Sequence, residues 1–228
     1  MDGTTTSHVT VERLGRREYG EVHALQQRLQ QERIDGGADR LLLVEHDPVL
    51  TLGRAHPEPK LRVAAPMLQA AGIPVAQTER GGDITYHGPG QLVAYCIIGL
   101  RDRGLSATDL VAGLEDCAIA VAKEFGVCAA RDSRNRGAWV DGRKLASIGI
   151  NVRRGVSMHG IALNVDPDME HFALIQPCGL DGVEMTSLRL ESGAAPGLPE
   201  VEDAFVRAFA TVFDCKVEAT EPLAPPVQ

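Results

Sequence analysis

The spacing of apolar and polar positions changes several times along the chain, and each change marks an element. Val9–Leu14 alternates with period two and predicts a strand; Glu18–Arg33 follows with Val22, Leu25 and Leu29 at helical spacing before Gly36-Gly37 stops it. Arg40–Glu45 is a short continuous apolar run closed by Asp47-Pro48, the pattern of a strand buried on both faces. Pro57, Pro59 and Pro66 predict a surface loop, after which Met67–Ala71 reads as a helical turn and Ile73–Ala76 as a strand. Ser106–Phe125 carries the clearest helical period. Leu110, Leu114, Ala118 and Val121 form its inner face, Ser106 and Asp109 suit its N-terminus, and Gly126 suits the position beyond its C-cap.

Beyond Gly126 the period shortens. Val127–Ala130, Ala138–Val140, Lys144–Val152 and Val156–Val165 predict a set of hairpins turning at Asp141-Gly142 and Arg153–Gly155. Pro199 and Glu200 open a last helix with Val201, Phe205, Phe209 and Phe213 on one side, and Cys215–Glu218 closes as a strand. The pattern predicts an α+β fold, a mixed or largely antiparallel central sheet flanked by helices. It forms one domain over residues 1–228, with a core at about 9–218 and a frayed tail at 219–228.

Composition narrows the function. The 228 residues carry 23 Lys plus Arg against 31 Asp plus Glu, a formal charge of −8, which argues against a nucleic-acid binder working through overall basicity. The apolar runs Leu41–Val44 and Leu92–Leu100 fall short of the ~20 residues of a membrane helix, and the first residues show no export or organelle pattern, so a cytoplasmic protein is expected. Five cysteines, irregularly spaced and without a CxxC pair, disfavour a disulfide framework or a zinc knuckle. Cys117 and Cys128 adjoin apolar segments and read as structural thiols.

The 24 glycines exceed the average usage of about 7%, and four of them fall within Arg80–Gln91 (RGGDITYHGPGQ). Such a backbone can approach a ligand closely and present free N–H groups, although the run has neither the lysine of a Walker loop nor a GxGxxG spacing, and tight turns use the same glycines. Lys144 opens a strand on which Lys144, Ala146 and Ile148 share a face; a lysine there is ordinarily solvated. Met158–Asn164 places His159 at the polar entry of a strand, where a structural histidine is the ordinary case. Cys178 lies between Pro177 and Gly179, outside any helical or strand period, where a thiol is exposed on a constrained loop.

Together these segments resemble one family, the octanoyltransferases of lipoate biosynthesis, also called lipoyl(octanoyl) transferases or lipoate-protein ligase B. The resemblance rests on RGGDITYHGPGQLVAY at Arg80–Tyr95, KLASIGINV at Lys144–Val152, MHGIALNV at Met158–Val165 and PCG at Pro177–Gly179, in that order over about a hundred residues. Leu41–Arg54 looks similar as well. The resemblance implies a fold like the catalytic domains of biotin and lipoate protein ligases, related to class II synthetases. It also implies transfer of an octanoyl group from octanoyl-acyl carrier protein to a lysine of lipoyl domains, those of 2-oxoacid dehydrogenases and the glycine cleavage H protein. Cys178 would be the acyl-thioester nucleophile and Lys144 its partner. Arg80, Gly81, Gly82, Asp83, Ile84, Thr85, Tyr86, His87, Ser147, Ile148, Gly149, Gly160, Ile161 and Ala162 would line the acyl and pantetheine site.

No ATP and no metal cofactor is implied, the donor carries phosphopantetheine, no nucleic acid or membrane takes part, and a monomer is expected. An acidic carrier protein and an acidic enzyme repel each other overall, so Arg54, Arg80, Arg131, Arg134, Arg136, Arg143, Arg153 and Arg154 are expected to form a basic rim at the mouth of the site. Rival readings are an ATP-dependent lipoate ligase, a cysteine hydrolase using Cys178 and His159, a binding module for lipoylated domains, and a metal site of Cys178 with His87, His159 or Asp166.

Overall fold

A computed structural model describes residues 7–55, 61–63, 65–175, 182–194 and 196–219. Its strands are β1 (Ser7–Arg17), β2 (Asp39–His46), β3 (Val49–Leu52), β4 (Val75–Gln77), β5 (Ile84–His87), β6 (Gln91–Ile97), β7 (Ala130–Asp132), β8 (Asn135–Val140), β9 (Arg143–Arg153), β10 (Val156–Asn164) and β11 (Cys215–Ala219). The helices are α1 (Tyr19–Ile34), α2 (Ala65–Ala70), α3 (Ala107–Glu124), α4 (Leu188–Ser192) and α5 (Leu198–Val212). An eight-stranded mixed sheet runs in the order β11-β1-β2-β6-β10-β9-β8-β7, and a three-stranded sheet in the order β4-β3-β5. No described helix is long and apolar enough to cross a membrane.

The central strands are apolar on both faces because both are covered. Leu41, Leu43, Leu92, Ala94 and Cys96 meet Leu110, Leu114, Val121, Phe205 and Phe209 of α3 and α5, while Leu42, Val44, Val93 and Ile97 meet Val22 and Leu29 of α1. Helix α1 joins the parallel strands β1 and β2 as a crossover, which is why an eleven-residue strand and a long helix precede the first hairpin. Ser106 and Asp109 form the capping box of α3, and Gly126 follows it in a left-handed conformation (φ 76°). The β8–β9 and β9–β10 hairpins turn through Asp141-Gly142 and Arg154-Gly155, each pair at positive φ, the twist-compatible geometry of two-residue turns.

Several expectations are corrected. Pro66 lies in the first turn of α2, where its missing N–H has no helical partner to lose. The expected strand at Val127–Ala130 begins at Ala130, and Cys128 is exposed rather than a core thiol, because it precedes an edge strand that nothing covers there. Cys117 is buried as expected. Ala219 of the expected tail pairs with Val11. β3 and α4 were not anticipated.

The most consequential difference lies in β9. Ala138 pairs with Ala146 but Trp139 pairs with Lys144, so β9 holds one extra residue at this point, a β-bulge. The bulge shifts the alternation. Ala146 and Leu145 both enter the core beneath α3, whereas Lys144 comes to the opposite face with Ser147 and Gly149. Lys144, Ala146 and Ile148 therefore do not share a face. Gly137 makes the bulge passable: its φ is 139°, and a Cβ there would lie 2.1 Å from the Ala146 carbonyl oxygen. Gly137→Ala is expected to cost about 2–4 kcal/mol of stability in urea unfolding, with strain and overlap both contributing; a loss below about 1 kcal/mol would show that the bulge tolerates a side chain.

Candidate active site

The bulged start of β9, the facing stretch of β10, β5, β6 and the first turn of α1 enclose a cavity of about 270 Å³. Of the residues expected in a site, Arg80, Gly82, Asp83, Ile84, Thr85, His87, Lys144, Ser147, Ile148, Gly149, Gly160, Ile161 and Ala162 line it. Two do not. Gly81 sits behind the wall, its N–H donating to the Ile150 carbonyl at 2.9 Å, and Tyr86 turns away into the core of the small sheet, where its hydroxyl meets His171 Nδ1 at 2.8 Å. Cys178 lies outside the described residues. Tyr19, Ala55, Val93, Tyr95, Asn135 and His159 complete the lining.

Lys144 is 1% exposed, one of the largest fully buried side chains. Its Nζ donates to Asn135 Oδ1 at 3.0 Å and stands 5.2 Å from the Trp139 ring centroid. Its backbone is fixed from the other side: the Lys144 N–H donates to the Glu184 carbonyl at 2.8 Å, and the Thr186 N–H to the Lys144 carbonyl at 2.9 Å. The chain that follows residues 176–181 is thereby laid parallel along the start of β9.

The Gly-Gly segment closes the opposite wall by joining the two sheets. Gly53, Arg54 and Ala55 donate backbone hydrogen bonds to the carbonyls of Asp83, Arg80 and Gly82, while Gly81 reaches β9. A Cβ on Gly149 would lie 2.8 Å from the Gly81 carbonyl oxygen, so β9 and this segment meet backbone to backbone. Arg80 is buried, not at a rim, and its guanidinium donates to the Thr51 carbonyl and hydroxyl. Among the other arginines expected at a rim, Arg131 pairs with Glu115 and Asp116, Arg134 with Asp132, and Arg143 with Glu191.

A hydrogen-bond chain links the glycine run to Lys144. His87 Nδ1–H donates to Gln91 Oε1 at 2.7 Å, Gln91 Nε2 donates to Asn164 Oδ1 at 2.9 Å, and Asn164 Nδ2 donates to the Thr186 carbonyl at 2.9 Å. The Thr186 N–H then reaches Lys144. Gln91 Nε2 also donates to the Tyr86 carbonyl, which leaves Oε1 as the acceptor and makes His87 Nδ1 the donor.

Buried histidines surround the inner end. His46 Nδ1–H donates to the Arg17 carbonyl at 3.1 Å, so Nε2 accepts from the Tyr95 hydroxyl at 2.8 Å. Burial pushes the His46 imidazole down to about 4; burial and the neighbouring His46 push His87 down to about 3; burial and the neighbouring His23 push His159 down to about 4. Burial likewise raises the Tyr19 and Tyr95 phenols. The imidazoles lining the cavity are therefore neutral at pH 7. Sequence reasoning missed His46 and Tyr95; their only signal was a polar ring within otherwise apolar strands. His159 has positive φ (64°), and its N–H donates to Gln26 Oε1 of α1 at 3.0 Å, so its ring stacks on His23 instead of following the strand.

Unfolded imidazoles take up protons near pH 6.5, whereas His46 and His87 resist until about 4 and about 3, so stability is full above pH 6.5 and is lost as pH falls towards those values. Urea unfolding should show stability falling by up to about 3 kcal/mol per pH unit around pH 5. A flat profile between pH 6.5 and 4.5 would contradict the neutral, buried placement of these rings.

Comparison with known proteins shows the family and the fold. The lipoyl protein ligase A/B catalytic domain model matches residues 18–210. The octanoyltransferase of Syntrophobacter fumaroxidans is 51% identical over 176 residues, 77% of each chain, and that of Desulfotalea psychrophila is 46% identical over 88% of this chain and 92% of its own. The bipartite lipoate protein ligase of Thermoplasma acidophilum superposes with a TM-score of 0.69 at 14% identity, covering 95% of this chain and 88% of its own, which shows a shared fold. The chain thus belongs to the lipoyl protein ligase A/B catalytic domain family and, within it, to the octanoyltransferases, which are acyltransferases.

Proposed function

We propose that the protein moves an octanoyl group from octanoyl-acyl carrier protein to a specific lysine of lipoyl domains, through an acyl thioester on Cys178. The observation that carries this reading is the burial of Lys144 in a cavity lined by the glycine-run residues, beside the chain that continues from the Cys178 segment.

The chemistry follows from one amine and one thiol. A free thiol of pKa near 8.5 is only a few per cent ionised at pH 7, and an adjacent ammonium favours the thiolate. In the first half, the Cys178 thiolate attacks the octanoyl thioester carbonyl; as the bond to the phosphopantetheine sulfur breaks, the Lys144 ammonium gives that sulfur its proton. In the second half, the amine of the acceptor lysine attacks the Cys178 thioester, the now neutral Lys144 amine takes its proton, and Cys178 leaves as thiolate. Thioester exchange is nearly isoenergetic and aminolysis is downhill, so neither ATP nor a metal is required. Gly149 and Gly160, which face each other across β9 and β10, give the acyl chain a wall without side chains. The cavity is close to the small end of ligand pockets, which run from roughly 300 Å³ upward, and suits a medium-length chain.

Docking of the acidic carrier protein falls to the arginines near Asn135, which lines the cavity. Arg134, paired with Asp132, stacks over Trp139 at 4.7 Å, and Arg136 is exposed and meets Glu115 only at the long distance of 3.5 Å. The enzyme works as a monomer in the cytoplasm on this reading, with the lipoyl domains of 2-oxoacid dehydrogenases and the glycine cleavage H protein as acceptors.

Intact mass spectrometry after incubation with octanoyl-acyl carrier protein should show one octanoyl adduct on the wild type and none on Cys178→Ser. Lys144→Ala should form it about 100-fold more slowly or worse, with an unfolding midpoint measured alongside. Acylation persisting in Cys178→Ser, or a need for ATP with release of pyrophosphate, would overturn the reading. Reversing Arg134 and Arg136 to Glu should raise KM for the carrier-bound donor and flatten its salt dependence; an unchanged KM would move the docking surface elsewhere.

A further inference from the structure

A second group of chemically capable side chains lies beside the cavity and takes no part in the acyl transfer described above. His23 of α1, Glu79 before the Gly-Gly segment, and His159 of β10 bring one ligand atom each to within 4.8 Å of one another. His23 Nε2 is 2.8 Å from Glu79 Oε2, and His159 Nε2 is 3.5 Å from the same oxygen. The two imidazoles are nearly parallel, with centroids 5.8 Å apart and planes at 19°.

A simple ion pair between His23 and Glu79 accounts for one of these contacts and leaves the rest. His159 is 2% exposed, yet its Nε2 has no hydrogen-bond partner, and a buried ring nitrogen left so is costly. The left-handed backbone of His159, unusual for a residue other than glycine, accompanies the turning of this nitrogen towards Glu79. The carboxylate is held in the matching orientation. Gln27 Nε2 donates to Glu79 Oε1 at 2.8 Å and leaves Oε2 for the two imidazoles, while Asn151 Nδ2 anchors the Glu79 backbone carbonyl at 3.1 Å.

We propose that His23, Glu79 and His159 form a three-ligand site for a divalent cation of the zinc type, between the cavity and the neighbouring groove that Glu79 lines. Two imidazoles and one carboxylate are the donor set that zinc prefers over magnesium or calcium, which seek oxygen. Metal–ligand bonds of about 2.0–2.2 Å set tetrahedral ligand atoms about 3.4 Å apart, so the outer limit of 4.8 Å closes by up to about 1.4 Å while His23 Nε2 and Glu79 Oε2, at 2.8 Å, open slightly, both within reach of side-chain rotation. Gln27 supplies the outer hydrogen bond that orients a coordinating carboxylate. Glu79 is partly exposed on a groove of about 650 Å³, which gives the ion a path from solvent. Buried Arg80 faces the same region and opposes positive charge, which lowers the affinity without removing the donors. The ion enters from solvent through this groove, and the transfer chemistry does not use it.

Cobalt(II) is the probe. Titrated into the dialysed wild-type protein, it should produce visible d–d absorption of a low-coordinate nitrogen and oxygen site, without the near-ultraviolet bands of thiolate ligation that binding at Cys128 or Cys178 would give. Zinc should displace it and magnesium should not. His23→Ala should abolish the absorption, Glu79→Gln should weaken binding strongly, and Gln27→Ala should weaken it about tenfold. His23 does not line the cavity, so His23→Ala should retain its metal-free rate of acyl transfer. Absence of the absorption in the wild type, its persistence in His23→Ala, or thiolate bands in its place would overturn the proposal. The optical readout is independent of activity, so it stands or falls separately from the acyl-transfer reading.

Discussion

The structure around the cavity is organised by one costly act, the removal of the Lys144 amine from water. A buried ammonium must be met by acceptors, or the burial is lost through unfolding or neutralisation. Asn135 provides one oxygen, Trp139 provides a ring face, and the backbone on either side of Lys144 is clamped by Glu184 and Thr186. None of this works if β9 keeps its alternation. The bulge is therefore the device that lets one strand send Leu145 and Ala146 into the core under α3 and Lys144 into the cavity. Gly137 is the residue on β8 that makes room for it.

The cavity combines close backbone approach with polar groups held neutral. Gly53 and Gly149, where a Cβ would run into the carbonyl oxygens of Gly82 and Gly81, let two sheets meet without side chains between them, and this contact encloses a space that a single sheet and a helix would leave open. At its inner end His46 and Tyr95 satisfy each other, and His87 donates to Gln91. Neutral rings cost less to bury than charged ones and hold a low dielectric around the amine, where any charge that develops is felt more strongly. Besides the Lys144 amine, Arg80 is a second buried cation, and it donates to Thr51 and so holds β3 against the glycine segment.

Much of the architecture was legible because burial writes itself into hydropathy. The two-faced strand at Arg40–Glu45, the capped helix after Ser106 and the paired turns at Asp141 and Arg154 each have a local cause that survives folding. The glycine run, Lys144 and the Met158–Asn164 strand were legible as motifs, and the Gln91–Asn164 bond shows why two distant motifs need each other's amides. The rest was hidden for physical reasons. A bulge adds one residue to a strand, and next to two apolar residues it leaves no trace in the period. β3 is four residues long and sits between a turn and prolines, so its burial comes from the second sheet. His46 and Tyr95 look like polar interruptions until the partner is known. Cys128 looks like a core thiol in the sequence because the sequence cannot say that the strand after it lies at an edge.

The pairing of β1 with β11 sets the order in which the molecule can assemble. Strand β1 finds β2 early, across a single helix, but its other edge is completed only by residues 215–219, so the contact closes a loop of about two hundred residues. During synthesis the hairpins of β8, β9 and β10 and their seat on β6 can form while that edge of β1 still exposes unpaired amides and carbonyls. The end of the sheet that borders the cavity can thus fold before the β1–β11 edge is complete, and that edge is the part most exposed to wrong partners during synthesis.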